Sequence, residues 1–377
     1  MTSSENTPLW DDRSWSGLPR LSQDIRADVC VVGLGGSGLT AVHELLDRGL
    51  SVVGIDARQV AAGAAGRNGG FLLAGLAKFY HDTVHALGRG RAAEIYRCTL
   101  TEMDRMEAAT PSAISRNGSL RIASSEEEVA DCDAQFQALR ADGFPVERYE
   151  GREGNGLLLL TDGSFNPLLR CRLLARSALE RGATLFENTP ASAIDSGLIG
   201  TPNGSIKCSF VIVAVDGRIE QLFPQLREKV RTARLQMLGT AATSEVSFKR
   251  PVYARWGYDY WQQLPDGRVV QGGGRDLAEQ EEWTDSTETT ALVQQYMERC
   301  LRERVGVHAP ITHRWAASVG YTSDGMPIVE QVLPNVWALG GYNGTGNVVG
   351  ALCARSVCQL FAKGQSDFHS LLKNERT

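Results

Sequence analysis

Residues Val29 to Asp56 read VCVVGLGGSGLTAVHELLDRGLSVVGID, and no other stretch restricts the possible folds as tightly. Val29-Cys30-Val31-Val32 is a short apolar run rich in β-branched residues, the composition of a strand buried on both faces. Gly33, Gly35 and Gly38 follow at the spacing G-x-G-x-x-G. Leu39, Val42, Leu45 and Leu46 recur at helical intervals up to Arg48, and Gly49 stands where such a helix would stop. Leu50 to Ile55 predicts a second strand, closed by Asp56.

Each part carries a mechanical expectation. Gly33 permits a tight turn, Gly35 lets a pyrophosphate approach the backbone, and Gly38 lets helix and strand pack closely. Free amides of the helix's first turn, which includes Gly36 and Ser37, would hold phosphates with roughly half a positive charge. Asp56, eighteen residues after Gly38, would accept ribose hydroxyls and repel a 2′-phosphate. A glycine-rich turn that binds nothing accounts for the glycines alone; strand, helix, second strand and acid together favour dinucleotide binding. The motif does not separate FAD from NAD.

A chain of 377 residues suggests two domains. Charged residues make up 22% and the net charge is -5 without a long run of one sign, so neither nucleic acid nor an anionic membrane is expected as partner. The start of the chain is polar and acidic, unlike a signal peptide, and no apolar run suits a membrane span. Eight scattered cysteines with no CxxC pair read as buried free thiols in a reducing cytoplasm. His81 and His85 have the i, i+4 spacing of a metal pair but no third ligand, so a solvated helix is expected and no metal.

Residues 1–25, with Trp10 and Trp15, read as a lead-in packed across a domain. After Asp56, the glycines and alanines of 57–75 suit a buried loop facing a flat ligand. Helices are expected at 90–109, 126–141, 167–181, 287–305 and from Val348 onward, with Glu126 to Glu128 as a solvated first turn. Strands are expected at 118–123, 154–160, 184–187, 210–215, 234–240, 251–263, 268–271 and 336–339. Alternation would put Trp256, Tyr258 and Tyr260 on one strand face, either as core or as the wall of a substrate cavity. The strand–glycine loop–helix at 336–348 offers a second helix N-terminus for an anionic or electron-accepting group.

ADVCVVGLGGSGL, GAAGRNGG, DGRVVQGGG, RWAASVGYTSDGMPIV and GGYNGTG, in that order, resemble the D-amino-acid-oxidase-like FAD enzymes, the group of glycine and sarcosine oxidases. The likeness runs from about Ala27 to Phe361 and is nearest to the γ-glutamylputrescine oxidoreductase branch. It implies an α/β and α+β chain, a Rossmann-like FAD-binding domain (26–85, 150–225 and 315–365) interleaved with a mostly antiparallel β-sheet substrate domain (86–149 and 226–314). It also implies a FAD site built from Gly33, Gly35, Gly36, Ser37, Gly38, Asp56, Ala57, Arg58, Gly66, Arg67, Asn68, Gly69, Gly70, Ala191, Ala214, Gly341, Gly344, Thr345, Gly346 and Asn347. Arg67, Tyr258 and Tyr260 are the implied catalytic residues, and Tyr253, Arg255, Tyr258, Tyr260, Trp261 and Tyr342 the implied substrate contacts.

The implied reaction moves a hydride from the carbon beside a substrate nitrogen to flavin N5, with imine hydrolysis and flavin reoxidation, often by O2. Departures from the family shape the expectation. Ala316-Ala317-Ser318 stands where sarcosine oxidases carry a flavin-linking cysteine, so FAD should be noncovalent. Val348 replaces a carboxylate-gripping lysine and Gln262-Gln263 an arginine, which favours an N-alkylated amine or polyamine derivative over an α-amino acid; Arg255 and Arg275 remain as possible anchors. A FAD-containing RNA-modification domain and a flavin-binding protein without turnover are the rivals from other classes.

Overall fold

The computed structural model describes residues 4–373. Val29–Val32 is a strand with every residue buried, and Gly36–Leu46 is the helix that follows it. A side chain on Gly38 would collide with the Gly33 carbonyl oxygen, and Gly33 itself holds φ +100°. Both positions therefore require glycine for the turn the sequence predicts. Around this unit a six-stranded sheet runs in the order Thr184–Phe186, Val52–Ile55, Val29–Val32, Phe210–Ala214, Val336–Gly340, Ile328–Leu333. All neighbours are parallel except the last pair. Helices Gly36–Leu46, Pro167–Glu180 and Val349–Lys363 bury one face; the other carries a cluster that includes Ile199, Ile206, Ile219 and Leu226.

A nine-stranded mixed sheet forms the second layer system. Its central strands are Ile311–Thr322, Val230–Thr240, Val269–Gly273, Asp259–Gln263, Val252–Ala254, Ser119–Ile122 and Gly154–Leu159. Most pairs are antiparallel, as expected. Register places Trp315, Met237, Gly272, Tyr260, Tyr253, Arg121 and Leu157 in one cross-strand row on a single face. Strand alternation sends their neighbours Leu238, Trp261, Val252 and Leu120 to the opposite face, where they pack with helix Ala291–Cys300.

Three expectations are corrected here. The stretch 251–263 is not one strand: Arg255, Trp256 and Gly257 all have positive φ and form a tight turn between two short strands. Trp256 and Tyr258 therefore leave the sheet plane and stand partly exposed, while Tyr260 stays in the row. The solvated acidic turn is only partly so. Glu128 is buried, and its carboxylate accepts the amides of Ser124 (2.7 Å) and Trp256 (2.6 Å), so it clamps that turn. His81 is half-buried rather than solvated, its Nε2 3.0 Å from Asp131, whose other oxygen already bonds the Arg121 guanidinium. Among the described residues all eight cysteines are free.

Candidate active site

Two helix N-termini converge on one side of the parallel sheet. Among the described residues, the amides of Gly35, Gly36 and Ser37 donate to no protein acceptor, nor do those of Gly346, Asn347 and Val348 ahead of helix Val349–Lys363. Each set is a ready donor array with positive potential. Asp56 lies at the end of its strand; its carboxylate accepts the amides of Leu34 (2.8 Å) and Arg58 (2.9 Å), and burial raises its pKa. Ala214 closes the neighbouring strand against Gly33, and Ala191 packs on the cluster that contains Ile55 and Val213.

The two glycine loops are tied to each other. Asn68 Nδ2 donates to Asn347 Oδ1 at 3.1 Å, and Asn347 Nδ2 donates back to Asn68 Oδ1 at 3.3 Å. Asn68 also binds the carbonyls of Ala64 and Ala65 and the amide of Gly70. Arg67 donates to the carbonyls of Ala316 (2.7 Å) and Asn6 (2.8 Å), and burial pushes its pKa down to about 10. Trp10 donates to the Asn68 carbonyl (2.9 Å), so the lead-in does pack across this loop. Gln262, buried, donates to the carbonyls of Gly69 and Gly70, which makes it a loop support instead of a lost anchor.

A cavity of about 600 Å³ opens between these loops and the cross-strand row. Arg67, Asn68, Gly69, Phe71, Gly344, Thr345 and Asn347 line one wall; Met237, Tyr253, Tyr258, Tyr260, Arg275 and Tyr321 line the other. Met237 and Tyr253 are three strands apart, so the cavity spans roughly 14 Å of sheet. Tyr260 meets Phe71 edge-on at 5.7 Å, and burial raises its hydroxyl pKa. Asp162 closes the far end, bonded to the Ala74 amide (3.0 Å) and the Ser119 hydroxyl (2.6 Å), with burial pushing its pKa up to about 6.

Three sequence-derived substrate contacts fall outside the lining. Trp261 faces the opposite side of the sheet, one residue out of phase with Tyr260. Arg255 is consumed by Asp259, Asp276 and the Tyr296 hydroxyl. Tyr342 is buried under its loop against Gly346 and Gly350. Arg275 lines the cavity where Arg255 does not. It forms no ion pair among the described residues, its Nη1 is buried without a partner, and its guanidinium lies 4.8 Å from the Tyr321 ring centroid and 5.1 Å from that of Trp283. Tyr321 was missed, although the GYTSDG segment that carries it was noticed as a motif.

Two donor arrays at the switch of a parallel sheet, with a covered cavity against a second sheet, define a dinucleotide-dependent oxidoreductase of two interleaved sheets. The chain belongs to the DAO family of FAD dependent oxidoreductases, whose model matches residues 28–360. It is similar to the probable oxidoreductase OrdL of Rhizobium meliloti (27% identical, 94% of this chain and 87% of that one). It is also similar to γ-glutamylputrescine oxidoreductase of Escherichia coli (24% identical, 90% and 84%). Among solved structures, glycine oxidase from Geobacillus kaustophilus superposes with a TM-score of 0.75 (18% identical, 93% of this chain and 100% of that one). L-proline dehydrogenase from P. horikoshii gives 0.74 (19% identical, 93% and 96%). The chain is thus a FAD-dependent oxidoreductase. No helix of the described residues is long and apolar enough to cross a membrane.

Proposed function

We propose that this chain oxidises the carbon–nitrogen bond of an α-amino acid or N-alkylated amino acid, with noncovalent FAD and O2 or another acceptor completing the cycle. Arg275 carries this reading. A half-buried guanidinium whose Nη1 is buried without a partner lacks a counter-charge, and in the cavity wall a substrate carboxylate would supply it. The sequence alone favours an N-alkylated amine or polyamine derivative over an α-amino acid; Arg275 favours a substrate that carries a carboxylate. FAD, bound across the two donor arrays, would accept the hydride from the carbon beside nitrogen. Tyr258, Tyr260 and Tyr321 would roof the substrate and keep water out, while Arg275 fixes its orientation. Asp162 is the one carboxylate among the described lining residues, and it stands at the far end. No carboxylate therefore stands beside Arg275 among the described lining residues, and the amine would arrive neutral. Neither cysteine nor histidine lines the cavity among the described residues, which supports noncovalent flavin.

Anaerobic bleaching of the flavin's visible band by a mixed panel tests the proposal. Bleaching by amino acids but not by the matching decarboxylated amines is expected. The reverse pattern would return the reading to a simple amine, and no bleaching by either would favour a flavoprotein without amine turnover.

A further inference from the structure

Arg170 is a second guanidinium without an acid partner, and it lies outside the substrate cavity. It sits in the first turn of helix Pro167–Glu180, where the Asn166 side chain caps the Leu169 amide at 3.0 Å. That helix packs on the glycine-motif helix, with His43 Nε2 2.9 Å from the Leu174 carbonyl. The packing brings Arg170 beside the motif: a Cβ on Gly36 would lie 3.6 Å from its Nη1. Arg170 is only 4% exposed, its Nε is buried without a partner, and no ion pair reaches it among the described residues. Glu102, the acid whose charge acts on it, makes no ion pair with it: Glu102 Oε2 bonds Arg355 at 2.7 Å and its Oε1 is buried without a hydrogen bond.

A buried, unpaired arginine against a helix N-terminus is repulsive unless an anion sits between them. The same first turn carries the amides of Gly35, Gly36 and Ser37, free of protein acceptors among the described residues, within reach of that guanidinium. We propose that Arg170 binds the pyrophosphate of FAD from the side of helix Pro167–Glu180. The diphosphate diester carries two negative charges, which meet one guanidinium and the partial charge of the helix terminus. Arg170 then binds the cofactor and stands apart from the chemistry of the ring. Gly36 leaves the guanidinium room to reach the backbone, and that close approach is the part the glycine motif alone does not reveal. The inference rests on FAD binding and is independent of which amine is oxidised.

The test is flavin release from the holoenzyme after dilution, followed by recovery of flavin fluorescence, for wild type, Arg170→Leu and Arg170→Lys. Loss of a charge-assisted contact should speed release about 10- to 100-fold in Arg170→Leu. Arg170→Lys keeps the charge but loses the planar fork, so its release should fall between the two. The thermal midpoint of the flavin-free form should be unchanged or higher in Arg170→Leu, since an unpaired buried charge has gone. Wild-type release rates in both variants would overturn the proposal. So would a flavin-free Arg170→Leu of lowered stability that still releases flavin at the wild-type rate, because Arg170 would then serve Glu102 and the fold. If Arg170→Leu does not fold, Arg170→Lys decides alone, and an unchanged release rate in it refutes the pyrophosphate contact.

Discussion

Asn68 and Asn347 exchange amide hydrogen bonds at 3.1 and 3.3 Å although 279 residues separate them. The first belongs to the loop after the second parallel strand, the second to the turn before helix Val349–Lys363. Their pairing fixes the spacing of the loops that frame the cavity, so one contact sets the width of the slot we propose for the flavin.

Asn347→Ala should widen that slot. It removes both bonds to Asn68, whose side chain keeps only its contacts within its own loop, and the bond to the Phe71 carbonyl (3.2 Å). The expected cost is about 1–3 kcal/mol, expressed as weaker flavin binding more than as unfolding. Flavin-to-protein ratio after gel filtration measures it, and full occupancy in the variant would contradict the role.

Arg275→Met should separate substrate binding from flavin binding. Removing the carboxylate's partner is expected to lower kcat/KM for amino acids by roughly 100-fold, the order of a lost buried charge-assisted contact. Flavin content should not change, because Arg275 touches aromatic rings and no cofactor loop. Stopped-flow reduction with and without a carboxylate on the substrate reports both quantities.

Gly35→Val should yield apoprotein. Its Cβ would come within 3.0 Å of the Ala65 Cβ, and the branches would fill the approach to the first-turn amides. Normal flavin content would disprove the placement of the pyrophosphate.

Asp162 gives a pH dependence with a definite sign. Its folded pKa is pushed up to about 6 by burial, against 3.8 for the ordinary group, so the folded state binds the extra proton between those values. Stability should therefore fall as pH rises through that window, by up to roughly 3 kcal/mol for this residue. Asp162→Asn mimics the protonated form, with an oxygen for the Ala74 amide and a donor for Ser119. Its thermal midpoint should decline less than wild type's between pH 5 and 7; parallel curves would rule the assignment out.

The parallel unit was legible because strand, turn and helix at 29–56 are local, each step fixed by residues a few positions apart. The cavity wall was less so. Nothing local distinguishes Tyr260 from Trp261; the register of Tyr260 with Gly272 and Tyr253 decides which one faces the cavity. The turn at Arg255–Gly257 hides because arginine and tryptophan seldom hold positive φ, and the clamp that enforces it is Glu128, far off in sequence. Arg255 and Arg275 look alike as text. Only the fold supplies Asp259 and Asp276 to one of them and leaves the other unpaired.

The tie between Asn68 and Asn347, together with Arg67 reaching Ala316, also bears on the order of events during synthesis. A nascent chain that has emerged only as far as Val336 already contains the glycine motif, the loop at 64–70 and most of the nine-stranded sheet. It lacks the second donor array, the partner of Asn68 and the strand that flanks Phe210–Ala214. On the proposed flavin site, capture therefore waits until residues 336–348 have emerged. Truncated products should come off the ribosome colourless.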